Sequence, residues 1–366
     1  MSKLATRLVS LFAALSAIQV ANSCTDIRLI AKDGTVMVSR SMEFAGDLQS
    51  NLRSSPRGRH YNFTTPNGIQ GHTWNAKYGY LYLDAANQNY AVDGMNEAGL
   101  SVEALYLPGM TKYQTVPAGK EAQAIPYIAF GDWLLSNFKT VDEVRQALPS
   151  VYLFEQTLPG MGSMVFPLHF SIFEASGKGI IVEFINGQMS ISDSIGILTN
   201  DSTYNWHVTN LRNFVNLNPY NPSPVVSHGM VFSANGQGAG MMGLPGDISP
   251  PSRFVKMSFM AKYAYTAPDA QGVLNLSQHI LNNVDIPAGI SRAKVNGADS
   301  YETTQWTVFK DLTHKIFYYH TYKDLTLHSV NMSQVDFSEK AVPLKMRIAS
   351  QPYVIDMTAN FQHAKN

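Results

Sequence analysis

The sequence contains almost no cysteine: Cys24 is the only one among 366 residues. A single thiol cannot form an internal disulfide, so no such cross-link stabilises the fold. In an oxidising compartment an unpaired thiol is prone to oxidation unless it has a use. The position of Cys24 in the chain therefore needs an explanation.

An excess of either charge is also absent. Lys and Arg number 27, Asp and Glu number 27, and the formal net charge is zero. A balanced chain has no general attraction for nucleic acid or for an anionic membrane surface, so we expect no nucleic-acid partner. Charged residues make up 15% and hydrophobic residues 45%, which predicts a large buried core. Without an internal repeat or a long linker, we expect a single domain over residues 24–366.

Metal and cofactor motifs are missing as well. The ten histidines are scattered, and none has the spacing of a motif such as HExxH. Gly238 to Gly243 spells GAGMMG, which fits the dinucleotide pattern GxGxxG, but Pro245 follows where a helix would have to run. We therefore expect neither a metal nor a cofactor.

The chain also lacks an apolar run of about 18 residues, the length that spans a bilayer. The apolar run over residues 8–21, which contains no charged residue, has only 14 residues. Lys3 and Arg7 precede it, and the small residues Ala21 and Ser23 occupy positions −3 and −1 of a cut after Ser23. This pattern predicts a secretory signal peptide over residues 1–23. We expect a bacterial protein that is exported to the periplasm or secreted, with no transmembrane segment in the mature chain.

Cys24 directly follows the predicted cut and has three interpretations. The first is an incidental small residue that becomes buried in a strand. The second is the acylated cysteine of a lipoprotein, although Ala21 at −3 and Asn22 at −2 match that signal poorly. The third is a catalytic residue that cleavage itself creates.

The third interpretation rests on two groups of one residue. Cleavage after Ser23 would leave Cys24 with both a thiol and a free α-amine. Their unperturbed pKa values, about 8.5 and about 7.7–8.0, are close enough for the amine to accept the thiol proton. The thiolate is then the nucleophile, and no histidine is needed as the base.

The residues that follow Cys24 predict a β-hairpin. Polar and apolar residues alternate over residues 25–31, residues 32–34 form a turn signal, and a second alternating run ends at Arg40. The outer ends of an antiparallel hairpin are neighbours, which brings Arg40 beside Cys24. A cation next to a thiol lowers the pKa of that thiol.

Similar patterns recur along the chain. Alternating runs predict strands at residues 170–173, 179–185, 188–191, 305–310 and 315–322. Helical spacing of apolar residues predicts helices over residues 128–148, 251–265 and 270–284. Thr140 and Glu143 form a capping box partway along the first of these helices. Two antiparallel sheets with grouped helices indicate a layered α+β domain.

Five motifs in order carry a resemblance to a known family. They are CT at 24–25, RSMEF at 40–44, DGMNEAGL at 93–100, ILTN at 197–200 and GLPGDISPPSRF at 243–254. With this order and spacing the chain resembles the choloylglycine hydrolases, the group of bile salt hydrolases and penicillin V acylases. The resemblance covers nearly all of the mature chain. It implies an N-terminal-nucleophile amidase with a four-layer αββα sandwich of two antiparallel sheets.

The resemblance implies roles for five residues. Cys24 matches the nucleophile, and Arg40 matches the arginine beside it. Glu43 falls where the family most often has an aspartate that hydrogen-bonds the amine of the nucleophile, a departure of one methylene. Asn200 matches the asparagine whose amide helps form the oxyanion hole, and Arg253 matches a second active-site arginine. The two arginines would lower the pKa of the amine, so that it can act as a base, and would orient a leaving group that carries a carboxylate.

Tyr106 bears on specificity. Bile salt hydrolases tend to have Asn at the matching position and penicillin V acylases more often Tyr, which favours aromatic or fatty acyl amides. The backbone N–H or the hydroxyl of Tyr106 is a candidate second donor of the oxyanion hole. Met42, Phe44 and Leu105 are candidate residues of an acyl pocket, although packing in the core is the commoner role of such side chains.

The sequence therefore predicts an exported amidase that hydrolyses the C–N bond of linear amides through a thioester on Cys24. The expected substrates are small molecules of the penicillin V type or other amides with a hydrophobic acyl group. A bile salt hydrolase and an acyl-homoserine lactone acylase share this chemistry and stay open as alternatives. A binding protein anchored by a lipid on Cys24 is the non-enzymatic alternative. Relatives are often tetramers, so a homotetramer is one expectation for the assembly.

Overall fold

The computed structural model describes residues 23–158, 164–295 and 297–348. Apart from Ser23, the predicted signal peptide lies outside the described residues. Ser23 is still joined to Cys24, so the structure is that of the chain before any cut at this bond. Within the three described ranges, no helix is both long and apolar enough to cross a membrane.

The described residues form 21 strands and five α-helices. The strands are β1 (Cys24–Ile30), β2 (Val36–Ala45), β3 (Asn51–Ser55), β4 (His60–Tyr61), β5 (Trp74–Asn75), β6 (Tyr80–Leu83), β7 (Asp93–Asn96), β8 (Leu100–Tyr106), β9 (Ala124–Pro126), β10 (Tyr152–Phe154), β11 (Leu168–Glu174), β12 (Gly179–Ile185), β13 (Gln188–Asp193), β14 (Ile197–Leu198), β15 (Val225–Ser227), β16 (Met230–Phe232), β17 (Arg292–Val295), β18 (Ala298–Asp311), β19 (Ile316–Thr321), β20 (Asp324–Asn331) and β21 (Lys345–Arg347). The helices are α1 (Phe130–Asn137), α2 (Val141–Ala147), α3 (Tyr204–Asn210), α4 (Pro250–Tyr263) and α5 (Ala270–Leu281).

Most of the strands belong to two large sheets. The first sheet has seven strands in the order β14-β1-β2-β18-β19-β20, with β17 paired to β18. The second has eight strands in the order β13-β12-β11-β8-β7-β6-β3-β21. Neighbouring strands are antiparallel throughout both sheets.

The two sheets pack against each other, and helices cover their outer faces. Helices α4 and α5 contact β1, and α5 also contacts β2; on the other side α1 contacts β7 and β8, and α2 contacts β11. One buried apolar cluster combines side chains of both sheets with α4 and α5, and a second combines the second sheet with α1 and α2. This arrangement confirms the α+β, four-layer αββα sandwich that the resemblance implies.

The first predicted hairpin is confirmed. Strands β1 and β2 pair from Cys24 opposite Met42 to Ile30 opposite Val36. The turn forms because Gly34 has a φ of +91°, a region that favours glycine. Strand β2 continues past the predicted end at Arg40 as far as Ala45.

The other predicted strands are found as β11, β12, β13, β18 and β19, and two predicted helices are found as α4 and α5. The prediction of one helix over residues 128–148 is wrong, because that segment forms both α1 and α2. Thr140 between them is extended, and its side chain accepts the N–H of Glu143 at 3.2 Å. Glu143 Oε2 accepts the N–H of Lys139 at 2.9 Å, not that of Thr140, so only the Thr140 half of the predicted capping box is present. This cap begins a second helix, since extended backbone interrupts the first.

Alternation of side chains along β2 separates two polar groups that matter for the site. Arg40 reaches the carbonyl oxygens of Ala104 in β8 and of Val92 just before β7, so its side chain lies between the sheets. Glu43 is an odd number of positions away and its side chain lies on the opposite face. The same strand thus presents a cation on one side and a carboxyl group on the other.

Candidate active site

Cys24 is the first residue of β1, and its side chain is almost completely buried, with 1% exposed. Arg40 Nη2 donates to Cys24 Sγ at 3.3 Å. The two side chains share a face because Arg40 lies two residues before Met42, the cross-strand neighbour of Cys24. Met42 Sδ lies 3.6 Å from the thiol sulfur. The hairpin therefore brings the cation to the thiol.

Arg40 is fully buried, and backbone carbonyl groups of β8 and of the residue before β7 fix its guanidinium. Nη1 donates to Val92 O at 2.8 Å, and Nη2 donates to Ala104 O at 2.6 Å. The guanidinium also lies 5.4 Å from the ring centre of Trp306. A planar fork held at both nitrogens keeps one orientation toward the sulfur.

The electrostatic balance at Cys24 differs from the sequence-based prediction. Burial raises the pKa of the Cys24 thiol above its ordinary value, while Arg40 opposes that rise and Glu43 adds to it. The net direction is upward because loss of solvation disfavours the thiolate more than the guanidinium favours it. The predicted lowering by Arg40 is therefore present, but in the uncut chain the effect of burial exceeds it. Arg40 alone does not activate the thiol, and a nearby base is needed.

Asn200 follows β14 and contacts three of the predicted site residues. Its Oδ1 accepts the backbone N–H of Cys24 at 2.6 Å and Arg253 Nη2 at 2.7 Å. Its Nδ2 donates to the carbonyl oxygen of Tyr106 at 2.8 Å. An amide nitrogen carries two hydrogens, so this contact uses one of them.

Arg253 lies in the first turn of α4, and its guanidinium is buried against the backbone of β1. Nη1 donates to the carbonyl oxygen of Cys24 at 2.5 Å and to Thr25 Oγ1 at 2.6 Å, and Nε donates to Ile248 O at 2.9 Å. These contacts fix the main chain at the nucleophile. They do not favour the predicted binding of a substrate carboxylate by Arg253.

Glu43 lies next to the bond that cleavage would break. Its backbone N–H donates to the carbonyl oxygen of Ser23 at 2.9 Å, and its Oε1 accepts the hydroxyl of Thr304 at 2.9 Å. Its Oε2 is buried and has no hydrogen bond in the part of the chain that the structure describes. Burial raises the pKa of Glu43 to about 7, which Arg253 opposes. In the uncut chain Glu43 does not contact the nitrogen of Cys24, which bonds Asn200 instead.

A cavity of about 220 Å³ opens at Cys24. Apart from Arg40 and Asp47, its walls carry no charged residue, and most of the lining is aliphatic or aromatic. Met42 and Phe44 lie in the wall, as the sequence predicts. The remaining side chains that shape it include Ala104, Tyr106, Tyr127, Ile128, Leu158, Phe166, Leu168 and Phe170.

Leu105 is a correction. It is completely buried in the apolar cluster that both sheets share, and it does not line the cavity. Its neighbours Ala104 and Tyr106 do line the cavity, because side chains alternate along β8 and Leu105 points to the other face. Tyr106 is half-buried, and burial raises the pKa of its phenol, which therefore stays protonated as a donor.

Several residues that support the site were not identified from the sequence. His169 Nε2 lies 2.9 Å from Thr199 O, and His207 Nε2 lies 3.0 Å from Asn200 O, so two buried imidazoles hold the backbone at Asn200. Asp93 lies 3.4 Å from Arg40. Asp93 is part of the DGMNEAGL motif, so the sequence contained a signal that could have identified it. No local motif identifies His169 or His207.

Comparison with known proteins identifies a family that this chain matches. The family model described as "Linear amide C-N hydrolases, choloylglycine hydrolase family" matches residues 24–344, so the match begins at Cys24. The bile salt hydrolase/transferase of Clostridium perfringens is 32% identical over 320 residues, which cover 85% of this chain and 93% of that protein. The penicillin V acylase of Pectobacterium atrosepticum is 24% identical over 324 residues, covering 83% of this chain and 79% of that protein.

Solved structures agree with this similarity. A crystal structure of a variant of the conjugated bile acid hydrolase from Clostridium perfringens has a TM-score of 0.79 at 28% identity, covering 92% of this chain and all of that one. The matched span of the family model is far more than half of the chain. The chain therefore belongs to the choloylglycine hydrolase family of linear amide C–N hydrolases, and it is a hydrolase of carbon–nitrogen bonds other than peptide bonds.

Proposed function

We propose that the protein is exported, begins at Cys24 after cleavage, and hydrolyses amides that carry a compact apolar acyl group. The observation that carries this proposal is the position of the Cys24 thiol on the wall of an apolar cavity. The beginning of the family match at residue 24 supports the same mature N-terminus.

The free α-amine of Cys24 supplies the base that the buried site otherwise lacks. It removes the thiol proton, and the thiolate forms a C–S bond to the carbonyl carbon of the amide. Arg40 stabilises the thiolate through its contact with Sγ at 3.3 Å. Burial alone raises the pKa of the thiol, so proton transfer to the amine is the step that makes the sulfur nucleophilic.

The negative charge of the tetrahedral state falls on the former carbonyl oxygen. Asn200 Nδ2 has a second hydrogen beyond the one used on Tyr106 O, and it donates to this oxygen. Tyr106 lines the cavity and supplies the second donor, from its backbone N–H or its hydroxyl. The protonated amine then gives its proton to the leaving nitrogen as the C–N bond breaks.

A thioester on Cys24 remains after the amine product leaves. Water attacks its carbonyl carbon while the α-amine accepts a proton from that water. The C–S bond breaks, the acid is released and the thiol is restored. Each proton taken by the amine is returned within one cycle, so no metal or cofactor is required.

Glu43 is proposed to hold the new amine. Its backbone N–H bonds the carbonyl oxygen of Ser23, so Glu43 lies next to the position where cleavage would create the amine. Its Oε2 has no hydrogen bond in the described chain and can accept from an ammonium group. The longer side chain of Glu thus serves where the family most often has Asp.

The size and chemistry of the cavity favour a compact acyl group. Pockets that bury drug-sized ligands are typically about 300–1,000 Å³, and the cavity at Cys24 is about 220 Å³. A phenoxyacetyl group or a medium-length acyl chain suits such a volume better than a four-ring steroid. Acyl-homoserine lactones stay an alternative of the same kind.

Bile salt hydrolysis is the second candidate. The observation in its favour is the 32% identity to the bile salt hydrolase/transferase of Clostridium perfringens, which exceeds the 24% identity to the penicillin V acylase. Tyr106 and the small cavity favour the first candidate. A competition assay between penicillin V and conjugated bile acids therefore decides between the two candidate functions.

The predicted homotetramer stays a prediction. The ribbon of β15 and β16 exposes large apolar side chains, including Val226 at 69% and Val231 at 66%. Exposed apolar surface of this kind favours association. Light scattering of the purified mature protein measures the number of subunits.

The test of the proposed function begins with the intact mass of the exported protein. We expect an N-terminus at Cys24 with no added lipid, and hydrolysis of penicillin V and medium-chain acyl amides ahead of glycine- and taurine-conjugated bile acids. The Cys24→Ala protein should fold and hydrolyse none of them. A lipid-sized mass gain, a different N-terminus or no amide hydrolysis would overturn the proposal.

A further inference from the structure

A group of ionisable side chains lies buried between the two sheets, behind the proposed nucleophile. Asp93, Glu103 and Lys310 are each almost completely buried. Lys310 Nζ lies 2.5 Å from Asp93 Oδ1 and 2.8 Å from Glu103 Oε1. Charged residues are almost never fully buried unless they are paired. Lys310 therefore joins two carboxylates that lie on neighbouring strands, β7 and β8.

This group is connected to Cys24 through Arg40. Asp93 Oδ2 lies 3.4 Å from Arg40 Nη1, and Arg40 Nη2 donates to Cys24 Sγ at 3.3 Å. Asp93 thus lies between two cations, one of which contacts the thiol. A change of charge at Asp93 or Lys310 alters the potential at the sulfur through the low-dielectric interior.

Beyond Glu103, the hydroxyl of Ser171 connects the group to a further carboxyl group, that of Asp26. Ser171 Oγ lies 3.0 Å from Glu103 Oε2 and 2.7 Å from Asp26 Oδ2. A hydroxyl has one hydrogen to donate, so a bridge between two carboxyl oxygens requires one of them to carry a proton.

We assign this proton to Asp26, because Glu103 Oε1 lies 2.8 Å from Lys310 Nζ and Asp26 forms no ion pair within the described residues. Burial, with Glu103 nearby, raises the pKa of Asp26 well above its usual range. Its Oδ1 has no hydrogen bond in the described residues, which suits a neutral acid. Asp26 then donates to Ser171, which donates to Glu103. The two cations Arg40 and Lys310 are balanced by the two remaining carboxylates.

We propose that Asp93 and Lys310 are positioning residues of the amidase reaction, which fix the orientation of Arg40 and set the electrostatic potential at the Cys24 thiol. This inference rests on the proposed function. A buried set of charges seldom stabilises a fold more than apolar residues of similar volume. We therefore expect the buried group to act through its effect on Arg40 and not through stabilisation of the fold.

Other charged groups also face the thiol. Glu43 from β2 and Arg253 from α4 act on it together with Arg40. Asp26 from β1 and Asp93 from β7 act on Arg40, and Glu103 from β8 and Lys310 from β18 act on Asp26. Removing the charge of Asp93 and removing the charge of Lys310 are predicted to have effects of opposite sign on the thiol pKa, while every direct contact of Cys24 stays in place.

The test measures the pH dependence of alkylation of Cys24 by iodoacetamide in the mature protein, followed by mass spectrometry. Asp93→Asn removes a negative charge beside Arg40, and the apparent thiol pKa should fall by roughly half a unit or more. Lys310→Met removes a positive charge and should raise that pKa by a similar amount. The double variant D93N/K310M should return it close to the wild-type value.

Asp311→Asn is the matched control. Asp311 is a buried aspartate next to Lys310 in β18, but it bonds the turn at Thr313 and His314 and not Arg40. It should leave the alkylation profile unchanged. If Asp93→Asn does not fold, Glu103→Gln replaces it with the same downward expectation, because it leaves Lys310 paired with Asp93.

Opposite shifts with recovery in the double variant would support the inference. Shifts of one sign in both single variants, or no shift, would overturn it, because a general structural defect has no reason to reverse sign with charge. The proposed function fails separately, if the wild-type protein hydrolyses no amide while these shifts appear. If the wild-type protein is active and the profiles do not move, the inference alone is wrong.

Discussion

The backbone N–H of Glu43 donates to the carbonyl oxygen of Ser23 at 2.9 Å. The pairing of β1 and β2 thus extends one residue beyond Cys24, onto the residue that export would remove. Ser23 Oγ also donates to Glu302 at 3.1 Å. The uncut chain is therefore held in place at the site, and the peptide bond occupies the position that a free amine requires.

We predict that a mature chain extended by Ser23 alone folds but is inactive. In that chain the nitrogen of Cys24 is an amide that donates to Asn200 at 2.6 Å, and it cannot act as a base. The value of kcat/KM should fall by about 10³-fold or more, since general-base catalysis alone typically contributes about 10²–10⁴-fold. Measurable turnover with Ser23 retained, confirmed by mass, would show that the α-amine is not the base.

The extended chain should also lose stability as pH rises. Burial raises the pKa of Glu43 to about 7, above its unfolded value, so the folded protein holds this proton more tightly than the unfolded chain. The stabilisation is complete below the unfolded pKa and is lost as pH rises through about 7. The change amounts to roughly 2–4 kcal/mol for a shift of this size.

Urea unfolding at pH 5 and pH 8 measures this effect, with Glu43→Gln in the same extended chain as the comparison. The glutamine cannot titrate. The free energy of unfolding of the chain with Glu43 should therefore fall, relative to that of the glutamine variant, between pH 5 and pH 8. Equal pH dependence in both chains would contradict the prediction and show that other buried acids, such as Asp26, dominate.

Local pattern predicted the β1–β2 hairpin, because alternation and a glycine turn are short-range signals. The same pattern correctly predicted that Arg40 lies beside Cys24. It could not give the net direction of the thiol pKa, since burial of Cys24 depends on the packing of the second sheet. It also placed Leu105 in the pocket, because a residue's face is fixed by register across β8 and not by its apolar character.

The helix over residues 128–148 shows the same limit. Apolar spacing continues through the break, and extended backbone at Phe138 and Thr140 separates α1 from α2. Lys310 and Asp26 are far apart in sequence from Asp93 and Glu103, so their contacts follow from the face-to-face packing of two sheets. No local pattern contains that information.

Arg40→Lys should impair catalysis although the charge is kept. A lysine cannot donate at once to Val92 O, Ala104 O and the thiol with the geometry of a planar fork. We expect kcat/KM to fall by about 10²-fold, together with a loss of about 1–3 kcal/mol of stability from carbonyl groups left without donors. Arg57→Lys, at an exposed ion pair with Glu97, should leave both quantities unchanged. Near wild-type activity in the Arg40→Lys protein would mean that charge alone suffices.

Cavity size should set the preference among acyl groups, and Ile128 offers a direct way to change it. Ile128 is 8% exposed and lies in the cavity wall. Ile128→Trp fills space that the acyl chain would use, so kcat/KM for a decanoyl amide should fall by about tenfold or more relative to an acetyl amide. The filled cavity should also cost about 1–3 kcal/mol of stability. Ile128→Ala should shift the preference the other way, toward bulkier acyl groups and conjugated bile acids.

Leu105→Met is the control, because Leu105 is buried on the opposite face of β8 and should leave the ratio of the two substrates unchanged. If the ratio moves with Leu105 and not with Ile128, the acyl group binds elsewhere and the cavity at Cys24 is not the acyl site.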